Sequence, residues 1–254
     1  MNVQVVIPAY NAARTLRAVL DRIPGDFRER LERIWIVNDG SVDGTGALAE
    51  SCARGEPRIR AVHLPVNSGY GFAVRTGILA ARSAGASVVA VLHADGQYAP
   101  EMLPALVRAL SENDGDLIQG SRVASGTALS GGMPLYKYVA GRALTHLENR
   151  VFGLGLTDYH SGYLVYGSRA LAGLPFERLS DRFEFDLEVI ACARARGFRI
   201  GELPIPTHYG DEISYLHPWT YGLRVLGVLW GYRRGRYSPA SRGDVHHEPP
   251  IAVL

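Results

Sequence analysis

The sequence predicts an α/β protein built on a mostly parallel sheet flanked by helices, with a C-terminal amphipathic helix. Three observations carry that expectation. Short β-branched apolar runs alternate with helical stretches over the first 122 residues. Polar residues and glycines collect after each apolar run and not before it, as in VVIPAYN, IVNDGS and VLHADGQY. Ligands of open α/β sheets bind beyond the carboxyl ends of strands, so this asymmetry marks a binding edge. Finally, residues 213–243 carry no acidic residue but five arginines: Arg224, Arg233, Arg234, Arg236 and Arg242. Trp219, Leu223, Leu226 and Trp230 recur there at helical spacing, the pattern of a basic helix lying on a membrane surface. A helix packed on the domain with its basic residues in solvent fits the same pattern. We therefore expect one domain over residues 1–212 and a helix with a basic tail over 213–254.

The elements follow in order. Residues 3–7 form an apolar strand, and Pro8 marks its exit because it cannot donate a ladder hydrogen bond. Asn11 is a candidate N-cap for a helix over 11–23, with Leu16, Val19, Leu20 and Ile23 on its core face. Residues 34–37 and 59–64 read as the second and third strands, and Asp43 or Thr45 caps the helix between them. The loop 67–71 leads into a helix through residue 84. Residues 88–92 form the fourth strand and 117–118 a short fifth. Residues 124–134 are rich in Gly and Ser without a hydrophobic period and read as a lid-like loop. A helix over about 136–152, a strand over 163–166 and a helix over 185–196 closed by Gly197 follow. The last strand, 200–205, contains Pro204 and is expected at an edge.

Composition narrows the function. The chain has 254 residues, is 47% hydrophobic and 20% charged, and carries a net charge of +2. A dedicated nucleic-acid binder should be strongly basic, so no nucleic-acid partner is expected. Cys52 and Cys192 form neither a metal spacing nor a disulfide framework, which fits a reducing compartment. Met1 runs directly into an apolar strand, so no signal peptide is expected. No stretch is long and apolar enough to span a bilayer. A cytoplasmic location follows, peripheral at the cytoplasmic membrane face if the basic helix binds lipid.

The candidate site residues lie at the predicted strand ends. His93, Asp95 and Gln97 alternate after the fourth strand and share one side if strand geometry persists. Their donors suit a divalent cation, Mg or Mn; a polar turn capped by Asp95 is the plainer alternative. Asp39 can accept from a nucleobase N–H or cap its own NDGS turn. Pro8 and Tyr10 can wall a planar ring. The loop around Asn67 and Gly69 opens a helix, so its N–H groups can face an anion. It is neither a GxGxxG fingerprint nor a Walker A motif. Arg122 ends the fifth strand and can fork onto a phosphate or lie in solvent. Asp158, His160 and Ser161 cluster in one turn, but a hydrolase reading lacks the GxSxG elbow. Glu184, Asp186 and Glu188 spread over different helix faces and are expected mostly in solvent or as caps.

Taken together, VVIPAYN, IVNDGSVDGT, NSGYGFAVRTG, VVAVLHADGQYAPE, IQGSR and DYHSGY resemble the family 2 glycosyltransferases of the GT-A fold. ADGQY, GSR, DYHSGYLVY and LPIPTHYGDE are most similar to the dolichol- or polyprenol-phosphate mannosyltransferase branch. The resemblance spans about residues 1–210. It implies transfer of a hexose, with inversion, from a GDP- or UDP-linked sugar to a polyprenyl or dolichyl phosphate. It makes Pro8, Tyr10, Asn38, Asp39, Asn67, Gly69 and Ala94 nucleotide contacts, and Asp95 and Gln97, with His93, the metal ligands. Arg122, with His160 and Ser161, becomes the acceptor-phosphate side. The sequence departs from the family pattern at His93, where a carboxylate is usual, and at Ala12, where an acidic residue is frequent. A phosphate acceptor is already ionised near neutral pH, whereas a hydroxyl acceptor needs a base. Asp186 is the first candidate for that base and Asp158 the second. Two alternatives remain: transfer to a soluble hydroxyl acceptor, and a non-catalytic nucleotide-sugar-binding protein.

Overall fold

A computed structural model describes residues 1–113, 115–126, 132–206 and 218–239. Seven strands form one sheet: β1 (Val3–Ala9), β2 (Arg33–Asp39), β3 (Ile59–Leu64), β4 (Val88–Val91), β5 (Leu117–Ser121), β6 (Leu164–Gly167) and β7 (Ile200–Pro204). Their order across the sheet is β3-β2-β1-β4-β6-β5-β7. The helices are α1 (Leu16–Asp21), α2 (Gly25–Arg28), α3 (Thr45–Gly55), α4 (Tyr70–Ser83), α5 (Leu103–Glu112), α6 (Leu135–Phe152), α7 (Ser168–Gly173), α8 (Phe185–Ala195) and α9 (Pro218–Arg233).

Period-two alternation sorts the strand residues onto two cores. Val5, Ile7, Ile34, Ile36, Val88 and Ala90 face the side covered by α1 and α5. Val6, Trp35, Val37, Val89 and Val91 face α4, α8 and α9. Both faces of β1, β2 and β4 are buried, so these strands read as continuous apolar runs. The helix α8 is inside the protein: every residue from Phe185 to Ala193 is buried. Its close follows expectation, with Gly197 at φ 69°.

Four expectations change. First, the sheet is not parallel throughout, and β5 does not lie beside β4. β6 inserts between β4 and β5 and pairs antiparallel with both. Its start therefore lies beside the carboxyl ends of β4 and β5, and the turn before it joins the binding edge. Second, Asn11 is no N-cap. It sits at φ 49° and accepts from the Val42 N–H at 3.1 Å, and α1 begins at Leu16. Third, Asp186 and Glu188 are buried rather than in solvent, because α8 packs on the sheet. Fourth, β4 ends at Val91. β7 is an edge strand as expected. Among the described residues no helix is long and apolar enough to cross a membrane. The domain boundary at 212/213, most of LPIPTHYGDE, residues 127–131 of the lid-like loop, Arg242 and the Trp219 side chain lie outside the described residues.

Candidate active site

The carboxyl edge of β1 and β2 is a laced set of loops. The Asn11 N–H donates to Ser41 Oγ, the Ala12 N–H to Thr45 Oγ1 and the Ala13 N–H to Asp43 Oδ2. Asp43 also accepts from the Thr45 N–H, so Asp43 rather than Thr45 serves the start of α3. Asn38, not Asp39, caps the NDGS turn, accepting from the Ser41 N–H at 3.2 Å. The Asp39 carboxylate reaches the next loop instead and accepts the Ser68 and Gly69 N–H groups at 2.7 and 3.0 Å. Burial raises the Asp39 pKa, and those two N–H groups pull it back. The anion at the 67–69 loop is thus the protein's own. Gly69 adopts φ 103° and lies against the Asp181 carbonyl, so no side chain fits there. Asn67 is exposed, Tyr10 is partly exposed and Ala94 is buried along the same edge.

Beyond Val91 the chain turns, with Gly96 at φ 82° and Asp95 Oδ1 accepting the Gln97 N–H at 3.0 Å. Strand alternation therefore does not carry His93, Asp95 and Gln97 onto one side. His93 turns inward. Its Nε2 lies 3.0 Å from the Tyr70 hydroxyl, and its ring meets Tyr98 edge-on at 4.8 Å. Burial, and secondarily the Arg122 charge, lower the His93 pKa against the pull of Asp95. The Tyr70 hydroxyl donates to Asp186 Oδ2 at 2.8 Å. A chain of hydrogen bonds thus runs from His93 through Tyr70 to Asp186. Burial pushes the Asp186 carboxyl up to about 7, against the Tyr70 hydrogen bond, and Oδ1 has no hydrogen-bond partner. Tyr70 itself is raised well above its ordinary value by burial first and Asp186 next. Gly162 packs directly on this chain: a Cβ there would overlap His93 Nε2 and the Tyr70 hydroxyl.

On the β5 side, Arg122 forks onto Asp158 through Nε at 2.9 Å and Nη2 at 3.3 Å. Nη2 also donates to the His160 carbonyl at 2.9 Å. Burial pushes the Asp158 carboxyl up, but Arg122 and His160 together outweigh it and hold the pKa below the usual value. A carboxylate so committed is a poor proton acceptor, which leaves Asp186 as the base candidate of the two. His160 Nδ1 lies 2.9 Å from the Tyr221 hydroxyl of α9. Its Nε2 is 3.3 Å from Glu148 Oε1 of α6, within ion-pair distance but outside hydrogen-bond geometry. Ser161 Oγ is buried without a hydrogen-bond partner.

Oxygen donors suit a hard cation. Asp95 is partly exposed, and a carboxylate offers about four lone-pair sites, of which Gln97 takes one. Asp95 and Gln97 fit a cation that keeps substrate phosphates and waters in its shell. His93, spent on Tyr70, does not join them.

Sequence reasoning missed Tyr70, Tyr98, Glu148 and Tyr221. The first two lay in motifs read for their glycines and carboxylates. Nothing local marks Glu148 or Tyr221, which reach the site through helix packing.

The sheet order, with its loops laced together at the carboxyl edge, is that of a GT-A-like fold. The chain matches over 95% of its length, with a TM-score of 0.65 and 18% identity, glucosyl-3-phosphoglycerate synthase from Mycobacterium tuberculosis in complex with Mn2+, uridine diphosphate and phosphoglyceric acid; 80% of that chain is covered. Residues 4–174 match the family described as Glycosyl transferase family 2, and the chain belongs to it. Polyprenol monophosphomannose synthase of Mycolicibacterium smegmatis is 30% identical over 203 residues, covering 79% of this chain and 75% of that protein. Undecaprenyl-phosphate mannosyltransferase of Micrococcus luteus is 29% identical over 206 residues, covering 81% and 83%.

Proposed function

We propose that this protein transfers a hexose from a GDP- or UDP-linked sugar to a polyprenyl phosphate, with inversion at the anomeric carbon. The observation that carries the acceptor is the seating of α9. Its inner face buries Val225, Val228 and Leu229 and sends Tyr221 to His160. Its outer face leaves Leu223 71% and Trp230 59% exposed, beside exposed Arg233 and Arg234. One helix thus joins the site to a basic, apolar surface that suits anionic lipid headgroups. The names of the mannosyltransferase relatives support the same acceptor class.

The nucleotide lies across the edge formed by Pro8, Tyr10, Asn38, Asp39, Asn67, Gly69 and Ala94. Asp95 and Gln97 would hold Mg or Mn, which supplies Lewis-acid stabilisation of the diphosphate leaving group. Arg122, which follows β5 and is hydrogen-bonded to the turn that carries His160 and Ser161, brings positive charge to the acceptor's phosphate. Asp186 serves this acceptor well: a carboxyl raised by burial to about 7 does not impose the fixed repulsion of a fully ionised one. The same group favours a second reading, transfer to a soluble hydroxyl, for which Asp186 is the base. A cytoplasmic, peripheral membrane location accompanies the first reading.

The test assays the full chain with UDP- and GDP-sugars, Mg or Mn, and either undecaprenyl phosphate in anionic vesicles or soluble glycans. Transfer to the lipid, with vesicle flotation that salt reverses, is expected. Transfer to soluble hydroxyls without flotation establishes the second reading. Binding of nucleotide sugar without any turnover leaves only a sensor.

A further inference from the structure

His160 is gripped twice. Its ring is bracketed between two helices, by Tyr221 of α9 at 2.9 Å and by Glu148 of α6 at 3.3 Å. The Tyr221 ring stands edge-on to the imidazole, with centroids 5.5 Å apart. Its backbone holds the charged pair of the site: the His160 N–H donates to Asp158 Oδ1 at 2.8 Å, and the His160 carbonyl accepts from Arg122 Nη2 at 2.9 Å. The residue whose ring the two helices hold is thus the residue whose main chain holds the guanidinium.

Glu148 strengthens the argument. It is fully buried, and neither of its oxygens has a hydrogen-bond partner. A buried carboxylate without hydrogen bonds is costly to keep, more so than a neutral residue of the same size. Its contact with the imidazole is the evident return on that cost. The helices that carry Glu148 and Tyr221 also present exposed apolar residues outward, Val139 on α6 and Leu226 on α9.

We infer that Tyr221 and Glu148 are positioning residues that set Arg122 for the acceptor's phosphate, acting through His160, so that the seating of α6 and α9 governs acceptor recognition. The inference rests on the phosphate-acceptor reading above for its kinetic consequence, and on geometry alone for the placement of Arg122.

The experiment uses the full chain and Tyr221→Phe, which keeps the ring and removes the hydroxyl. Two quantities are read: the KM for farnesyl phosphate, and the Arg122 Nε–H resonance in NMR spectra without acceptor. Loss of one neutral hydrogen bond predicts a rise in acceptor KM of about five- to tenfold. UDP affinity by calorimetry should stay within about twofold, since Tyr221 lies away from the laced loops. The Arg122 Nε–H signal should shift or broaden. Glu148→Gln should change both readouts in the same direction. An unshifted Arg122 signal in Tyr221→Phe overturns the inference, and so does a shifted signal with an unchanged acceptor KM. If the parent protein uses no prenyl phosphate, the phosphate-acceptor reading fails separately, and the resonance alone decides whether Tyr221 places Arg122.

Discussion

At the β1–β2 end of the cleft, polar side chains meet the backbone N–H groups of neighbouring loops: Asp39 takes Ser68 and Gly69, Asp43 takes Ala13, and Thr45 takes Ala12. At the β5–β6 end, Asp186 Oδ1, Ser161 Oγ, His160 Nε2 and both Glu148 oxygens are buried without hydrogen-bond partners. The first end is held by bonds that the fold itself completes. The second keeps charge and hydrogen-bonding capacity in a low-dielectric interior, where each group interacts strongly with whatever enters. The difference separates an end whose polar groups the fold itself satisfies from an end where it leaves buried polar groups without hydrogen bonds.

Substitutions can break or sharpen this contrast. The largest effect is expected between the two ends. Asp95→Ala should lower transfer by at least about a hundredfold, because it removes the carboxylate proposed to hold the cation. Initial rates across a Mg and Mn series check this; activity within a few-fold of the parent refutes the ligand assignment.

At the laced end, Asp39→Asn places an amide donor against the Ser68 and Gly69 N–H groups. Hydrogen bonds to charged groups are worth about 1.5–3 kcal/mol, so UDP affinity should fall about ten- to a hundredfold as the loop is released. Calorimetric titration measures it; unchanged affinity would mean that the loop stands without Asp39.

Gly162→Ala tests how closely the open end is packed. The added methyl overlaps His93 and Tyr70, and overpacking of this kind costs about 1–3 kcal/mol. Urea unfolding should show that loss in midpoint with little change in slope.

The smallest effect is a displacement on the pH axis. The Asp186 carboxyl is raised from 3.8 to about 7, so its contribution to stability is full below its ordinary value and is lost as pH rises through about 7. Transfer to a hydroxyl acceptor should climb with pH through the same region, whereas transfer to a phosphate should not need that climb. The Tyr70 hydrogen bond lowers the Asp186 pKa, so Tyr70→Phe should move the rising limb to higher pH. A limb that does not move in kcat profiles detaches Tyr70 from Asp186.

The contrast also explains what could be read from the chain alone. β1, β2 and β4 were legible because burial on both faces writes itself as apolar runs, and the polar residues after them mark the edge. Asp39 and Asp95 were legible for the same reason. The insertion of β6 was not, because its four residues look the same in either direction and the neighbour of β4 is set by a contact nearly eighty residues away. The inward turn of His93 was hidden because it depends on β4 ending at Val91 and on Tyr70 arriving from α4. Asp186 and Glu188 looked like surface carboxylates because their helix alternates acidic and apolar residues. Burial of that whole helix is decided by the sheet beneath it and by α9 above it, with Tyr237 donating to Glu188 at 2.7 Å.

The placement of β6 has a consequence for synthesis. Domains begin to fold while the chain is still being made, N-terminal portion first. Strands β3, β2, β1 and β4 can assemble in that order of neighbours as soon as residue 91 has appeared. β5 emerges next but has no place beside β4; that slot belongs to a strand whose last residue is Gly167. The nascent sheet therefore carries an open edge at β4 while residues 92–167 are added, and an unattached β5 while residues 122–167 are added. An exposed strand edge is a template for wrong pairing. β4 meets that interval with four residues, a short edge to leave uncovered.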